Sequence, residues 1–197
     1  VPCGAPPVSA RERHNLCRCG APLLARYDLE AARAWRREDL VGREPSMWRY
    51  RELMPVFADE TPVSLGEGFT PLVHAARLGA RLGMNDLFIK DESLNPTNSF
   101  KARGQSAAIT RARGLGVETV SVPSAGNAGN AVAAYAAKAG LRAEVFLPKD
   151  VKTPFIRECA LYGAGVTLVD GLITDAARVA AERGGPLGWY DVSTLKE

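Results

Sequence analysis

From residue 117 onward the chain repeats one unit: a short β-branched run, a turn, and a stretch with helical spacing. The pattern predicts a strand over 117–122 and an alanine-rich helix ending near Lys138, closed by Gly140. It continues with a strand over 143–147, a helix over 153–162 stopped by Gly163, a strand over 166–169 and a helix over 174–182. Strands that alternate with helices in this way pair in parallel. The expected fold class is therefore α/β, an open doubly wound parallel sheet with right-handed crossovers. Upstream, the same reading gives a helix over 73–82 closed by Gly83 and a strand over 87–90. A helix over 99–113 follows, with Ser99 as N-cap and Gly114-Leu115-Gly116 as its end. Two short helices, over 29–35 and 45–53, precede Pro55.

Composition removes several function classes. With 46% hydrophobic and 24% charged residues the 197-residue chain has material for one or two small cores and belongs to no disorder class. The net charge of +3 is mild. Arg11, Arg13, Arg36, Arg37, Arg111 and Arg113 are scattered rather than massed with aromatics, which argues against nucleic acid. They read as solvated helix faces, Arg111 and Arg113 serving a helix C-terminus. The longest apolar run, 131–137, is too short to cross a bilayer, and no charged-then-apolar leader opens the chain, so the expected location is the cytoplasm. The start at Val1 and the end at Glu197 lead us to expect a chain cut at both ends.

Two turns carry the candidate chemistry. Lys101 closes the block Asn95-Pro96-Thr97-Asn98-Ser99-Phe100-Lys101, and Ser124-Ala125-Gly126-Asn127-Ala128-Gly129-Asn130 follows the strand over 117–122. In an open α/β sheet ligands bind beyond the carboxyl ends of the strands, where helix entrances receive anions. One lysine near two helix entrances suits an anionic, aldehyde-bearing ligand, because a neutral amine condenses with an aldehyde and burial favours the neutral form. Phe100 is the expected wall between that amine and water. Taken alone, Lys101 would read as a surface lysine in a first helical turn.

These blocks, with Gly66-Glu67-Gly68-Phe69-Thr70-Pro71-Leu72 and Lys90-Asp91-Glu92, resemble the fold type II pyridoxal-phosphate enzymes, which share the tryptophan synthase β-like fold. The resemblance is closest to the threonine synthase group and runs from about Thr61. It implies pyridoxal 5'-phosphate as cofactor, held as a Schiff base on Lys101, with the Asn127 amide beside the ring hydroxyl. It further implies a substrate carboxylate received by Ser124, Ala125, Gly126 and Ala128, and Thr70 at the edge of the cleft. The implied activity is that of a lyase of amino-acid biosynthesis, turning O-phosphohomoserine and water into threonine and phosphate, in a homodimeric intact enzyme. Lys90, Asp91 and Glu92 read as structural ion pairs.

Some residues depart from the group. Asn98 stands where threonine synthases carry glycine and Ala102 where they carry aspartate, and Lys101-Ala102-Arg103-Gly104 is familiar from threonine dehydratase-like relatives. A β-eliminating or β-replacing enzyme of dehydratase-like or cysteate/cysteine synthase-like type stays open as an alternative, as does a non-catalytic Rossmann-type metabolite-binding domain. Against the latter, no Gly-x-Gly-x-x-Gly fingerprint follows a strand. The glycine-rich loop that holds the cofactor phosphate in the family is not found, since Gly184-Gly185-Pro186-Leu187-Gly188 has the wrong pattern and its proline removes an amide donor. The chain is thus expected to be the amino-terminal part of the enzyme, inactive by itself.

The first sixty residues are set apart by cysteines. Cys3-Gly4 and Cys17-x-Cys19-Gly20 look like most of a zinc ribbon lacking one ligand. A cysteine just before Val1 would complete a Cys-x-x-Cys knuckle, and His14 is an alternative fourth ligand at poor spacing. Reduced thiols without metal are the competing reading. Cys159 falls on the apolar side of a helix and reads as a small core residue. We divide the chain into an amino-terminal extension with a partial cysteine cluster, 1–60, and the amino-terminal part of the catalytic region, 61–197.

Overall fold

The extension folds in short pieces. In the computed structural model, which describes residues 3–194, helix α1 (Leu29–Arg33) starts where the Asp28 carboxylate accepts the Ala31 amide. The helix expected over 45–53 is instead a 3-10 segment, Met47–Leu53, whose first turn is held by the Ser46 hydroxyl. Positions 1–2 and 195–197, the last three of the expected 61–197 unit among them, lie outside the described residues.

The helix expected over 73–82 begins later than its spacing suggested. Leu72–His74 is strand β1, helix α2 covers Ala76–Leu82, and β1 pairs antiparallel with β2 (Phe88–Lys90), Val73 facing Ile89. Pro71 holds Thr70 extended, and two facing β-branched residues favour the hairpin over a helical turn. This hairpin is a separate two-stranded sheet. The strand before the lysine block is therefore not one of the parallel set. Helix α3 (Lys101–Gly114) follows, and Ser99 does not cap it: Phe100 holds the N-cap position without a side-chain bond, and the Ser99 hydroxyl is buried with no partner.

The rest of the chain is the expected alternation: β3 (Thr119–Pro123), α4 (Asn127–Ala139), β4 (Arg142–Pro148), α5 (Thr153–Leu161), β5 (Gly165–Val169), α6 (Ile173–Leu187) and β6 (Tyr190–Asp191). All four strands are parallel, in the order β5-β4-β3-β6. Strand β4 shows how two layers cover the sheet. Val145 and Leu147 enter the core shared with α4 and α5, while Phe146 between them faces Ala176 and Ala180 of α6. Each such fully buried Val, Leu or Phe contributes about 1.5–3 kcal/mol of transfer free energy. The chain steps outward from β3 to β5 and then returns across α6 to β6, so the order reverses between β3 and β6. The crevice of such a sheet lies at that reversal, beyond the strand ends at Pro123 and Asp191.

Three arginines assigned to solvated helix faces are latches instead: Arg111 and Arg113 on α3, and Arg13, which donates to the Leu115 and Gly116 carbonyls. Arg111 is buried, its Nη1 3.0 Å from the Glu60 carboxylate and its guanidinium 5.0 Å from the Phe57 ring centroid, and Arg113 donates to the Thr61 carbonyl. The segment 57–61 lies against the end of α3, which the helical pattern could not reveal. Among the described residues no helix is long and apolar enough to cross a membrane.

Candidate active site

The loop after β3 is built around one hydroxyl. Ser124 Oγ, buried, accepts from the amides of Gly126 (3.1 Å) and Gly129 (2.9 Å), bending the chain from strand into α4. That hydroxyl is engaged inside the turn. The amides of Ala125, Asn127 and Ala128, in contrast, have no hydrogen-bond partner among the described residues. Gly126 is required here: its φ is +148°, and a Cβ would stand 3.1 Å from the Phe155 ring. Asn127, the first residue of α4, is exposed, and its carboxamide has no partner among the described residues. Asn130 is structural, donating to Glu158 on α5 and accepting from Cys159 Sγ at 3.2 Å. Cys159 is fully buried, and burial pushes its thiol up to about 11.

Lys101 opens α3, half-buried, with Nζ 4.8 Å from the Phe100 ring centroid and no acceptor among the described residues. Phe100 covers one side of the amine but is itself 58% exposed, so it is a partial wall. In the turn that precedes the lysine in the chain, Thr97 Oγ1 and Ser99 Oγ are buried without partners among the described residues. Thr97 and Asn98 have positive φ, 59° and 53°, so the Pro96–Asn98 turn is held in a conformation that such residues seldom adopt. Both this turn and α3 pack against α4, which brings the lysine block and the Asn127 turn onto neighbouring elements.

Thr70 belongs to a polar cluster on another side of α3. Its Oγ1 donates to Glu92 (2.5 Å), and Glu92 receives Arg103 through Nε (2.6 Å) and Nη2 (2.8 Å) and Asn95 Nδ2 (2.9 Å). The Arg103 guanidinium, aided by Thr70 and Asn95, holds the Glu92 carboxyl down at about 2. Lys90 donates to the Thr70 carbonyl. Of the three residues expected in ion pairs, Glu92 forms one with Arg103, while Lys90 bonds a backbone carbonyl and Asp91 accepts from Ser93. Arg103 sits two residues after Lys101, about 200° around the helix, and the groove of about 400 Å³ lined by Arg49, Phe69, Thr70, Lys90 and Arg103 does not take in the lysine.

Sequence reasoning quoted Glu67 within a motif without giving it a role. Its carboxylate is fully buried and accepts from Trp48 Nε1 (2.7 Å), Ser106 Oγ (2.5 Å), Tyr135 OH (2.6 Å) and the Leu65 amide (2.9 Å). Burial alone would raise its pKa, but these donors outweigh it and hold the group below the usual carboxylate range. One anion thereby joins the extension, α3 and α4. Gly68 makes the junction possible, since a Cβ there would lie 2.5 Å from the Met47 nitrogen. The flanking glycines were the available signal.

The three amino-terminal cysteines also meet, their sulfurs all within 4.8 Å of one another. They lie on the extension, whose Arg13 donates to the Leu115 and Gly116 carbonyls. That is the far end of the 14-residue helix α3, about 20 Å along its axis from Lys101.

Comparison with known proteins agrees with this architecture. Threonine synthase from Methanocaldococcus jannaschii is 41% identical over 162 residues, covering 81% of this chain and 40% of that protein. Threonine synthase from Methanosarcina acetivorans is 36% identical over 177 residues, covering 89% of this chain and 43% of that protein. The chain thus spans about two fifths of the length of these curated relatives. Among solved structures, the processed form of threonine deaminase isoform 2 from Solanum lycopersicum superposes with a TM-score of 0.56 at 27% identity, covering 63% of this chain and 34% of that one. The family model described as "Pyridoxal-phosphate dependent enzyme" matches residues 63–196, well over half of the sequence, and the chain belongs to that fold type II family.

Proposed function

We propose that this chain is the part of a threonine synthase that carries the cofactor lysine, the intact enzyme turning O-phosphohomoserine and water into threonine and phosphate. The observation that supports it most is the stretch ending at Lys101: a half-buried amine with no acceptor and two buried hydroxyls, Thr97 and Ser99, with no partner among the described residues. Buried polar atoms are rarely left unpaired, so these call for a polar ligand and fit pyridoxal phosphate. In this reading Lys101 holds the cofactor covalently and Asn127, with its carboxamide unengaged, holds the ring hydroxyl. The unpaired amides of Ala125 and Ala128 receive the substrate carboxylate, Gly126 allowing close approach, while Ser124 shapes the turn and Thr70 braces the cleft edge through Glu92.

When bound, pyridoxal phosphate supplies an electron sink for charge developing at the substrate α-carbon. The chain supplies the rest. With the cofactor bound, Lys101 Nζ would take the substrate α-proton as general base and return a proton later in the cycle. Phe100 limits water on one side of that amine. We assign residues 61 onward to the catalytic unit and 1–60 to an extension latched to it by Trp48, Glu60 and Arg13.

A second reading, β-elimination from threonine or serine, is favoured by Lys101-Ala102-Arg103-Gly104 and by the likeness to the tomato threonine deaminase. Offering O-phosphohomoserine, threonine and serine separately to the complete enzyme decides. Threonine and phosphate from the first substrate support the proposal, whereas ammonia and a keto acid from threonine would replace it with the second reading.

A further inference from the structure

We infer that Cys3, Cys17 and Cys19 form a thiolate site for zinc or a similarly soft divalent ion, and that a metal there fastens the extension to the end of the sheet at β6. The sulfurs of Cys3 and Cys17 are 3.6 Å apart, and all three lie within 4.8 Å of one another. Zinc–sulfur bonds of about 2.3 Å in a tetrahedron put neighbouring sulfurs about 3.8 Å apart, so the thiols already stand near the corners of such a site. A disulfide requires about 2.05 Å, and these cysteines are free thiols. The backbone makes a knuckle around Cys17: its amide donates to the Ala21 carbonyl at 2.9 Å, the Gly20 amide returns to the Cys17 carbonyl at 2.8 Å, and Leu16 bridges to Pro22.

The donor set is three thiolates. His14 is not the fourth ligand, because it is absent from the cluster and its Nε2 lies 3.5 Å from the Glu12 carboxylate. Among the described residues no fourth ligand joins the cluster, which leaves the fourth corner open to water. The loop that a metal would close, residues 3–17, is the one stitched to the catalytic unit. Besides the Arg13 contacts, Asn15 Nδ2 donates to the Asp191 carbonyl at 3.0 Å, and Tyr190 OH reaches the His14 carbonyl at 3.5 Å. Asp191 ends β6, the strand beside the crevice, and the next residue, Val192, bonds Ser121 of β3. Closing this loop reduces the entropy lost when the stitches form, so metal binding and order at β6 are linked. The site stands whether or not the enzymatic reading above is right, since it uses none of those residues.

The test uses the full chain, reduced with a phosphine and stripped of metal. Cobalt(II) should bind at one equivalent with a thiolate-to-metal charge-transfer band, displaced by zinc and lost in Cys17→Ser. Because Cys159 is buried, the native chain should show three reactive thiols without zinc, none with zinc, and three again after chelation. Zinc should also slow amide exchange over residues 190–193. No cobalt–thiolate band, or unchanged thiol reactivity with zinc, would overturn the site. A proper band with unchanged exchange at 190–193 would overturn the fastening role.

Discussion

Replacing Glu67 with alanine tests whether one buried anion joins the extension to the catalytic helices. In the wild type Glu67 accepts from Trp48, Ser106, Tyr135 and Leu65. After the change two donors keep a partner: Trp48 Nε1 lies 2.9 Å from Ser106 Oγ, and Ser106 Oγ lies 2.7 Å from the Val63 carbonyl. Tyr135 OH is left buried and unpaired, costing about 1–3 kcal/mol, whereas the amide of Leu65, an exposed residue, can turn to water. The lost bonds to the charged carboxylate add to this and relief of its desolvation offsets part, so the net loss should be about 1–3 kcal/mol, a large share of a domain's usual stability. Tyr135→Phe alone should cost about 1.5–3 kcal/mol, as expected for a bond to a charged group. In the Glu67→Ala background it should cost almost nothing, because it then removes an orphan. Urea midpoints at pH 7, followed by tryptophan fluorescence and by circular dichroism, give the cycle. A coupling energy of about 1–3 kcal/mol is expected. Strict additivity, or a Glu67→Ala protein within about 0.5 kcal/mol of wild type, would refute the reasoning.

Ser99→Ala removes a buried hydroxyl that has no partner, so stability without cofactor should hold or rise slightly while cofactor affinity falls about tenfold, ~1.4 kcal/mol; equilibrium titration and thermal melts read the two apart. Glu92 is held at about 2 in the fold, so the stability it contributes is complete above its ordinary value of 4.5 and is lost as pH falls towards 2. Arg103→Gln should move the acid-unfolding midpoint upward. Burial and the Glu67 carboxylate raise the Tyr135 hydroxyl pKa, so its share of stability is present below about pH 10 and lost above it; Tyr135→Phe should flatten that alkaline slope. Gly126→Ala places a side chain at φ +148° against Phe155 and should cost about 1–3 kcal/mol, with a larger loss of cofactor binding than of melting temperature.

The parallel units were legible because each strand and helix from 117 onward is long enough to show its period, and Gly140 and Gly163 mark where helices stop. Strand β6 was not, being two residues long and defined by its pairing with Val120 and Ser121. Val73 misled for a related reason: its apolar neighbours fit a helix, and only the distant partner Ile89 makes it a strand. In the site, the positions of Lys101 and Asn127 at helix starts could be read from punctuation. Ser99 looked like a cap, since a serine before a helix usually is one, and its lack of a partner is a three-dimensional fact. The buried bonds of Glu67 and Arg111 join residues 19 to 68 positions apart, beyond the reach of any local pattern.

The central claim is that Lys101 is the residue that binds pyridoxal phosphate covalently. The direct measurement is borohydride reduction of the complete enzyme loaded with the cofactor, followed by peptide mass mapping. The account predicts a pyridoxyl group on the peptide containing Lys101, abolished in Lys101→Ala and weakened in Asn127→Ala. A label on Lys90 or Lys138 instead, or an undiminished label in Lys101→Ala, would contradict it.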